Sequence, residues 1–227
     1  MKILTQIISV GLLCSLFSCS NANEEISGAT FNKTFVTGYL TPESIVTRKI
    51  DSGIGLTLKG NVITSGKNFD DLSTYYNDLT YNRYTVCGPR IAISDSIYKI
   101  EVRTLEDFDA LHPAGSDISD LIECQYISYY DYIQSGYKKE NKDIGQSLDM
   151  QEYSGIEGAK MLKNELTKMN YSNTKLIAPN FLLKFKKEPE KKDKLRFYLV
   201  FNMGEKKLKI LLNINFECKR SNFNHKI

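Results

Sequence analysis

The chain has 227 residues, 14 of them Tyr, 11 Phe and none Trp, with 41% hydrophobic overall, enough for one large domain or two small ones with a substantial core. Thirty Lys and Arg against 27 Asp and Glu leave a formal charge of +3, which argues against a dedicated nucleic-acid binder. With 2 His and no G-x-S-x-G, H-E-x-x-H or P-loop spacing, the sequence speaks against His-dependent hydrolases, zinc proteases and P-loop enzymes.

Residues 1–18 open on Met1-Lys2, run through apolar residues broken by Thr5, Gln6 and Ser9, and close on Leu16-Phe17-Ser18 before Cys19. This has the order of a secretory signal, with an apolar run too short and interrupted to span a bilayer. Small Ser18 directly before Cys19, and Leu16 three before it, resemble a bacterial lipobox. That resemblance implies diacylglycerol on the Cys19 thiol, cleavage before Cys19 and acylation of the new amine. Phe17 is bulkier than the usual residue there. Cys14 is the weaker candidate, because large Leu13 precedes it. The alternative is an ordinary cut near Ala22-Asn23 that frees a soluble body. Residues 19–28 are small and polar, as expected of a flexible tether. Glu24-Glu25 faintly resemble the acidic surface-export signals of Bacteroidota lipoproteins, which leaves cell surface and periplasmic face both open.

Residues 29–227 then read as a single β-rich domain. Thr, Phe and Val make 29–40 a strand that ends at Thr41-Pro42. Residues 54–65 alternate, with Ile54, Leu56 and Leu58 on one face, Thr57 and Lys59 on the other, and a bulge or turn at Gly60-Asn61. Residues 69–84 read as a short helix and loop. Within 90–103, Tyr98, Ile100 and Val102 oppose Lys99, Glu101 and Arg103, the half-buried pattern of an antiparallel strand.

The segment that follows, Arg103-Thr104, Asp107-Phe108-Asp109, then Pro113-Ala114-Gly115-Ser116-Asp117-Ile118-Ser119-Asp120-Leu121, resembles a family of uncharacterised Bacteroidota envelope lipoproteins. The likeness covers residues 87–122 and implies export without implying an activity or a site. Asp117 is placed to cap a short helix.

Ala159, Leu162, Leu166 and Met169 fall on one helical stripe, so residues 155–170 read as an amphipathic helix. Residues 177–217 read as a three-strand meander. Its middle strand is apolar on both faces, and its last turns Leu208, Ile210, Leu212, Ile214 and Phe216 inward. The end is basic: 13 Lys and Arg against 5 acids in residues 184–227. These cations alternate along strands or fill turns, which is what a solvated sheet face looks like, so no nucleic-acid partner is expected.

Several residues could carry chemistry. Glu106, Asp107, Asp109, Asp117, Asp120 and Glu123 crowd together but lack the Ca²⁺-loop spacing, so they read as a solvated acidic loop, and no metal or cofactor is expected. In an exported protein Cys87, Cys124 and Cys218 allow one disulfide in any of three pairings. Tyrosines gather at Tyr75, Tyr76, Tyr81 and Tyr84 and again at Tyr126, Tyr129, Tyr130 and Tyr132. Exposed, the second group is the best candidate ligand surface for a glycan or protein, although strand tyrosines also simply fill half-buried pleats.

The expectation is a mainly β, antiparallel, sandwich-like body with one helix, held by a lipid on the outer membrane. It would act as a non-enzymatic binding, adhesion or assembly module. A small hydrolase using a carboxylate pair is the alternative, and a purely structural envelope component the third reading.

Overall fold

The computed structural model describes residues 29–50, 53–85, 88–138, 148–153, 156–190 and 194–216. The signal segment, Cys19 and the tether lie outside them, as do Cys87 and Cys218. Strands dominate. β1 (Thr30–Asn32), β2 (Gly38–Ile50) and β3 (Gly53–Ile63) precede helix α1 (Lys67–Tyr75). Then come β4 (Arg83–Thr85), β5 (Ile91–Ile93), β6 (Lys99–Thr104), β7 (Ile122–Ser128) and helix α2 (Tyr130–Gln134). β8 (Lys160–Glu165), β9 (Ile177–Phe185), β10 (Lys194–Met203) and β11 (Lys206–Asn215) finish the chain.

Two sheets carry the body: a six-stranded one in the order β5-β2-β3-β9-β7-β8 and a three-stranded one in the order β11-β10-β6. β1 and β4 form a separate pair. Pairing is antiparallel except for β5, which runs parallel to β2. The larger sheet is therefore mixed. The alternation of Ile54, Leu56 and Leu58 places all three in one core with Phe181 and Leu183, against Ile100, Val102, Phe197 and Phe201 of the smaller sheet. Phe181 meets Phe201 edge-on at 5.5 Å between ring centres. This shared core makes the two sheets a sandwich.

The larger sheet buries its other face too. Tyr39, Ile127, Ala178 and Leu182 pack there under α1, α2 and the coil around them, in a second core with Phe35, Tyr81, Tyr129, Tyr132 and Tyr137. Phe35 is ringed edge-on by Tyr81, Tyr129 and Tyr132 at 5.3, 5.5 and 4.9 Å, the geometry the ring quadrupole favours. Two charges hold this core's coil together. Asp78 accepts the backbone N–H of Phe35 (2.7 Å) and Val36 (2.8 Å) and the Tyr137 hydroxyl (2.9 Å). Burial pushes its pKa up, against the pull of those bonds and of Arg90. Buried Arg90 donates to the Phe35 carbonyl and to Thr85 Oγ1 (3.1 Å), its guanidinium 4.9 Å from the Phe35 ring centre.

Three expectations are corrected. The helix expected at 155–170 is absent from the described part of that span, residues 156–170. Gly158 sits at φ 78°, where a Cβ would lie 2.2 Å from Tyr132 Cδ1, and β8 then pairs antiparallel with β7. The apparent stripe is divided: small Ala159 enters the aromatic core, whereas Leu166 and Met169 enter the sandwich core. Pairing to β7, with Lys163 ion-paired to Glu123 of that strand and Lys160 to Asp131 of α2, overrides local helix propensity. The C-terminal meander is also split, because β9 pairs with β3 and β7 while β10 pairs with β6 and β11. Finally, Thr41-Pro42 does not end a strand. β2 continues to Ile50 past a bulge between Pro42 and Ser44, which accommodates the missing proline N–H.

Asp78→Ala leaves two buried N–H groups unpaired and Arg90 without its counter-charge, so it is expected to cost about 3–5 kcal/mol. Equilibrium urea unfolding measures this, and a loss under about 1 kcal/mol would show that the network holds nothing.

Candidate functional site

The tyrosines singled out in the sequence do not form a surface. Tyr126, Tyr129 and Tyr132 are buried, because β7 is covered on both faces and α2 folds into the aromatic core. The Tyr126 hydroxyl accepts from Asn164 Nδ2 (2.7 Å) and donates to the Asn173 carbonyl (3.1 Å), and burial pushes its pKa up to about 12. The Tyr129 hydroxyl has no hydrogen-bond partner among the described residues. Of that group Tyr130 alone is half-buried.

An exposed tyrosine surface exists elsewhere, assembled from four separate segments. Tyr75 at the end of α1 is 63% exposed, and Tyr98, expected inward with Ile100 and Val102, precedes β6 and is 53% exposed. Tyr171 lies between them, its hydroxyl bonded to that of Tyr75 and its ring centre 5.5 Å from Tyr98. That bond pushes the Tyr171 pKa up to about 12, so the phenol is neutral at physiological pH. Lys175 completes the group, its Nζ 5.2 Å from the Tyr171 ring centre and 5.4 Å from that of Tyr130.

Buried polar bonds fix this assembly from below. The Thr174 hydroxyl donates to the Ile97 carbonyl (2.8 Å) and accepts the Ile97 N–H (3.1 Å), which brings Tyr171 to Tyr98. The Tyr98 N–H donates to the Asn202 carbonyl (2.8 Å) and the Tyr129 N–H to the Leu176 carbonyl (3.0 Å), setting Tyr130 beside Lys175. Sequence spacing cannot reveal contacts 96 residues apart such as Tyr75 with Tyr171. The available signal was the share of Tyr outside regular alternation.

A second feature is a cleft of about 790 Å³ on the aromatic-core side of the larger sheet. Arg48, Thr57, Lys59 and Asn180 line it from β2, β3 and β9, and register places Thr57 directly beside Asn180. Gly55 makes this floor level: a Cβ there would lie 2.7 Å from Arg48 Nε. Glu152 and Tyr153 form one wall, Pro89 and Ile91 the other. Asn180 Nδ2 donates to Glu152 Oε1, while Asn180 Oδ1 is buried without a partner among the described residues. A groove of about 750 Å³ lies between β2 and β11, lined largely by apolar and amide side chains.

The acidic cluster of residues 106–123 resolves into individual partners rather than one solvated loop or a metal cage. Glu106 pairs with Arg196 (2.6 Å), Glu123 with Lys163 (3.1 Å), and Asp117 accepts the Ser119 N–H (2.9 Å) at the start of a short helical turn. Asp109, buried, accepts from Leu111 N (2.8 Å) and His112 N (2.9 Å), meets His112 Nδ1 at 2.7 Å and pairs with Lys187. Among the described residues no group of three or more His, Cys, Asp or Glu is placed to hold a metal. Cys124 is a free, fully buried thiol in the sandwich core, its pKa raised by burial, while the other two cysteines of the expected pairings, Cys87 and Cys218, lie outside the described residues.

The chain has no significant match to a known family model, to a curated protein or to a solved structure.

Lys187 first, then His112 and two backbone N–H groups, hold the Asp109 carboxyl well below the usual carboxylate range. A folded pKa below the unfolded one stabilises the fold above about pH 4, and that contribution is lost as pH falls through the folded value. The stability gap between wild type and Asp109→Asn should be widest at neutral pH and close progressively in acid. Urea unfolding at stepped pH measures it, and a gap unchanged down to about pH 2 contradicts the assignment.

Proposed function

We propose that this chain is a non-enzymatic binding and adhesion module, anchored by lipid on Cys19 to the outer membrane of a bacterial envelope as in the lipoproteins its sequence resembles. The observation that carries the binding role is the meeting of Tyr75 and Tyr98 at Tyr171, with Lys175 against the rings of Tyr171 and Tyr130. Exposed tyrosine offers a large, stiff, apolar ring with a hydroxyl at its tip, so it gives contact area at little entropic cost. Neutral phenols donate and accept hydrogen bonds, while a lysine over the ring faces adds charge. Such a surface suits a glycan or a protein face.

The hydrolytic alternative needs two acids facing one another across a cleft. Glu152 is the carboxylate lining the larger cleft and Glu188 the one lining the groove beside β11. Among the described residues each space thus has a single acid. The raised carboxylate, Asp78, is fully buried and spent on backbone N–H groups.

Tyr98→Ala combined with Tyr171→Ala is expected to weaken ligand binding about tenfold or more while leaving the thermal midpoint within a few degrees of wild type. Glycan and protein arrays probed with the body from residue 29 onward identify ligands, and titration of both proteins reads the loss. An array empty for wild type, or hits that ignore both substitutions, removes the role of this surface. Protein extracted from membranes should have the mass of the chain from Cys19 plus a diacylglyceryl group and an amide-linked acyl chain. A mass matching a chain cut near Ala22 removes the anchor.

A further inference from the structure

The three-stranded sheet buries one face and leaves the other open. Phe197, Leu199 and Phe201 point inward with Ile100, Val102, Leu208 and Leu212, so the residues between them point out. Register sets these in rows across β6, β10 and β11: Lys99, Asn202 and Lys207, then Glu101, Val200 and Lys209, then Arg103, Tyr198 and Leu211. Arg196 beside Asn213 and Lys194 beside Asn215 carry the rows past the end of β6. At about 7 Å from row to row, the face runs about 27 Å along the strands.

A sheet face that is merely solvated mixes charges of both signs. This one does not. Its cations are Lys99, Arg103, Lys194, Arg196, Lys207 and Lys209, and Glu101 is its one acid among the described residues. Glu101 pairs with Lys99 at 2.6 Å and lies 4.0 Å from Arg103, while Glu106, just beyond β6, holds Arg196 at 2.6 Å. Lys194, Lys207 and Lys209 are exposed and have no ion-pair partner among the described residues. Asp117, which borders β6, gives its carboxylate to Ser119, and Glu205 lies in the turn between β10 and β11. With these bordering acids counted, the face is still net positive, and its surplus is lysine.

The make-up of that surplus selects the partner. Lysine is a hydrated point charge without the fixed fork of arginine, so it draws anions without setting their direction. The two guanidinium groups already have Glu101 and Glu106 as counter-charges. Tyr198 offers no open ring for stacking, because Lys209 Nζ sits 3.5 Å from its ring centre. A single-stranded nucleic acid, which stacks its bases on open rings, therefore fits poorly. Lysines spread around half-buried Val200 and exposed Leu211 match instead a plane of anionic headgroups over acyl chains, to which all cations within about 10 Å contribute together.

We infer that this face rests on the anionic phospholipid headgroups of the membrane that carries the protein, with Lys194, Lys207 and Lys209 against their phosphates. The inference rests on the lipid anchor proposed above, which would keep the face within reach of those headgroups, and it adds an orientation. With this face down, the tyrosine surface, which begins at Tyr98 directly before β6, lies at the edge of the contact and stays open to a partner.

The test is flotation of the chain from residue 19, carrying Cys19→Ser and so no lipid, with vesicles of phosphatidylglycerol and phosphatidylcholine, against vesicles of phosphatidylcholine alone. The protein should float with the anionic vesicles only, and let go as salt shortens the screening length from about 10 to about 3 Å. Lys207→Glu combined with Lys209→Glu should weaken binding about tenfold or more. Lys33→Glu combined with Lys59→Glu makes the same change in net charge at exposed positions off this face, and should change binding little. Lys194→Glu, at the far end of the face, should weaken binding too, and reads the same surface if the β11 pair disturbs the hairpin.

Four outcomes overturn the inference: no preference for the anionic vesicles at low salt, binding that ignores both Lys194→Glu and the β11 pair, an equal loss from the Lys33 and Lys59 pair, or an oligothymidylate bound as tightly as the vesicles. Because the protein in this test has no lipid, such a failure strikes the face alone. The mass of the protein extracted from membranes decides the anchor separately.

Discussion

A β-strand keeps apolar residues on both faces only where something covers both, and β7 and β9 impose that condition on the whole body. Along β9, Phe181 and Leu183 enter the sandwich core while Ala178 and Leu182 enter the aromatic one. The three-stranded sheet meets the first demand. The second is met by short helices and coil, which cover the sheet from Tyr39 across to Ile127. Where that cover stops, the sheet turns polar, at Arg48 of β2, Thr57 and Lys59 of β3 and Asn180 of β9. The cleft is the uncovered remainder of a sheet that is elsewhere buried twice.

Covering a sheet with coil has a cost that helices avoid, because coil backbone groups lack internal partners. Here charged side chains supply them. Asp78 takes the N–H groups of Phe35 and Val36, and Arg90 takes the Phe35 carbonyl. The aromatic ring of Phe35 is thereby fixed at the centre of three tyrosines. Tyrosine suits this layer better than phenylalanine because its hydroxyl reaches the same polar anchors, as Tyr137 does at Asp78.

Alternation made much of the sandwich legible. Ile54, Leu56 and Leu58, Ile100 and Val102, and the β10–β11 hairpin were readable because a half-buried strand writes its pattern in single residues. The second core was not legible, since a strand buried on both faces has no alternation, and coil tyrosines follow no period at all. Residues 155–170 misled for a related reason. Ala159, Leu166 and Met169 match a helical stripe, yet the stripe is split between two cores that sequence spacing treats as one. The tyrosine surface depends on contacts between α1, the segment before β6 and the turn before β9. Those are set by Thr174 bridging to Ile97, a pairing that the sequence does not announce.

The two candidate surfaces answer to different physics. The outward face of the three-stranded sheet acts through charge, so its hold on a membrane would be long-ranged, indifferent to the detail of each headgroup and weakened by salt. The tyrosine surface is open and built of side chains that tolerate many partners, so its contacts should be individually weak. Under the proposed lipid anchor that weakness is no handicap. Many copies confined to one membrane would engage a repetitive partner together, and each further contact forms at high effective concentration. An adhesive surface of modest affinity beside a face that steadies the body on its membrane is a division of labour that a tethered module can use and a freely diffusing one cannot.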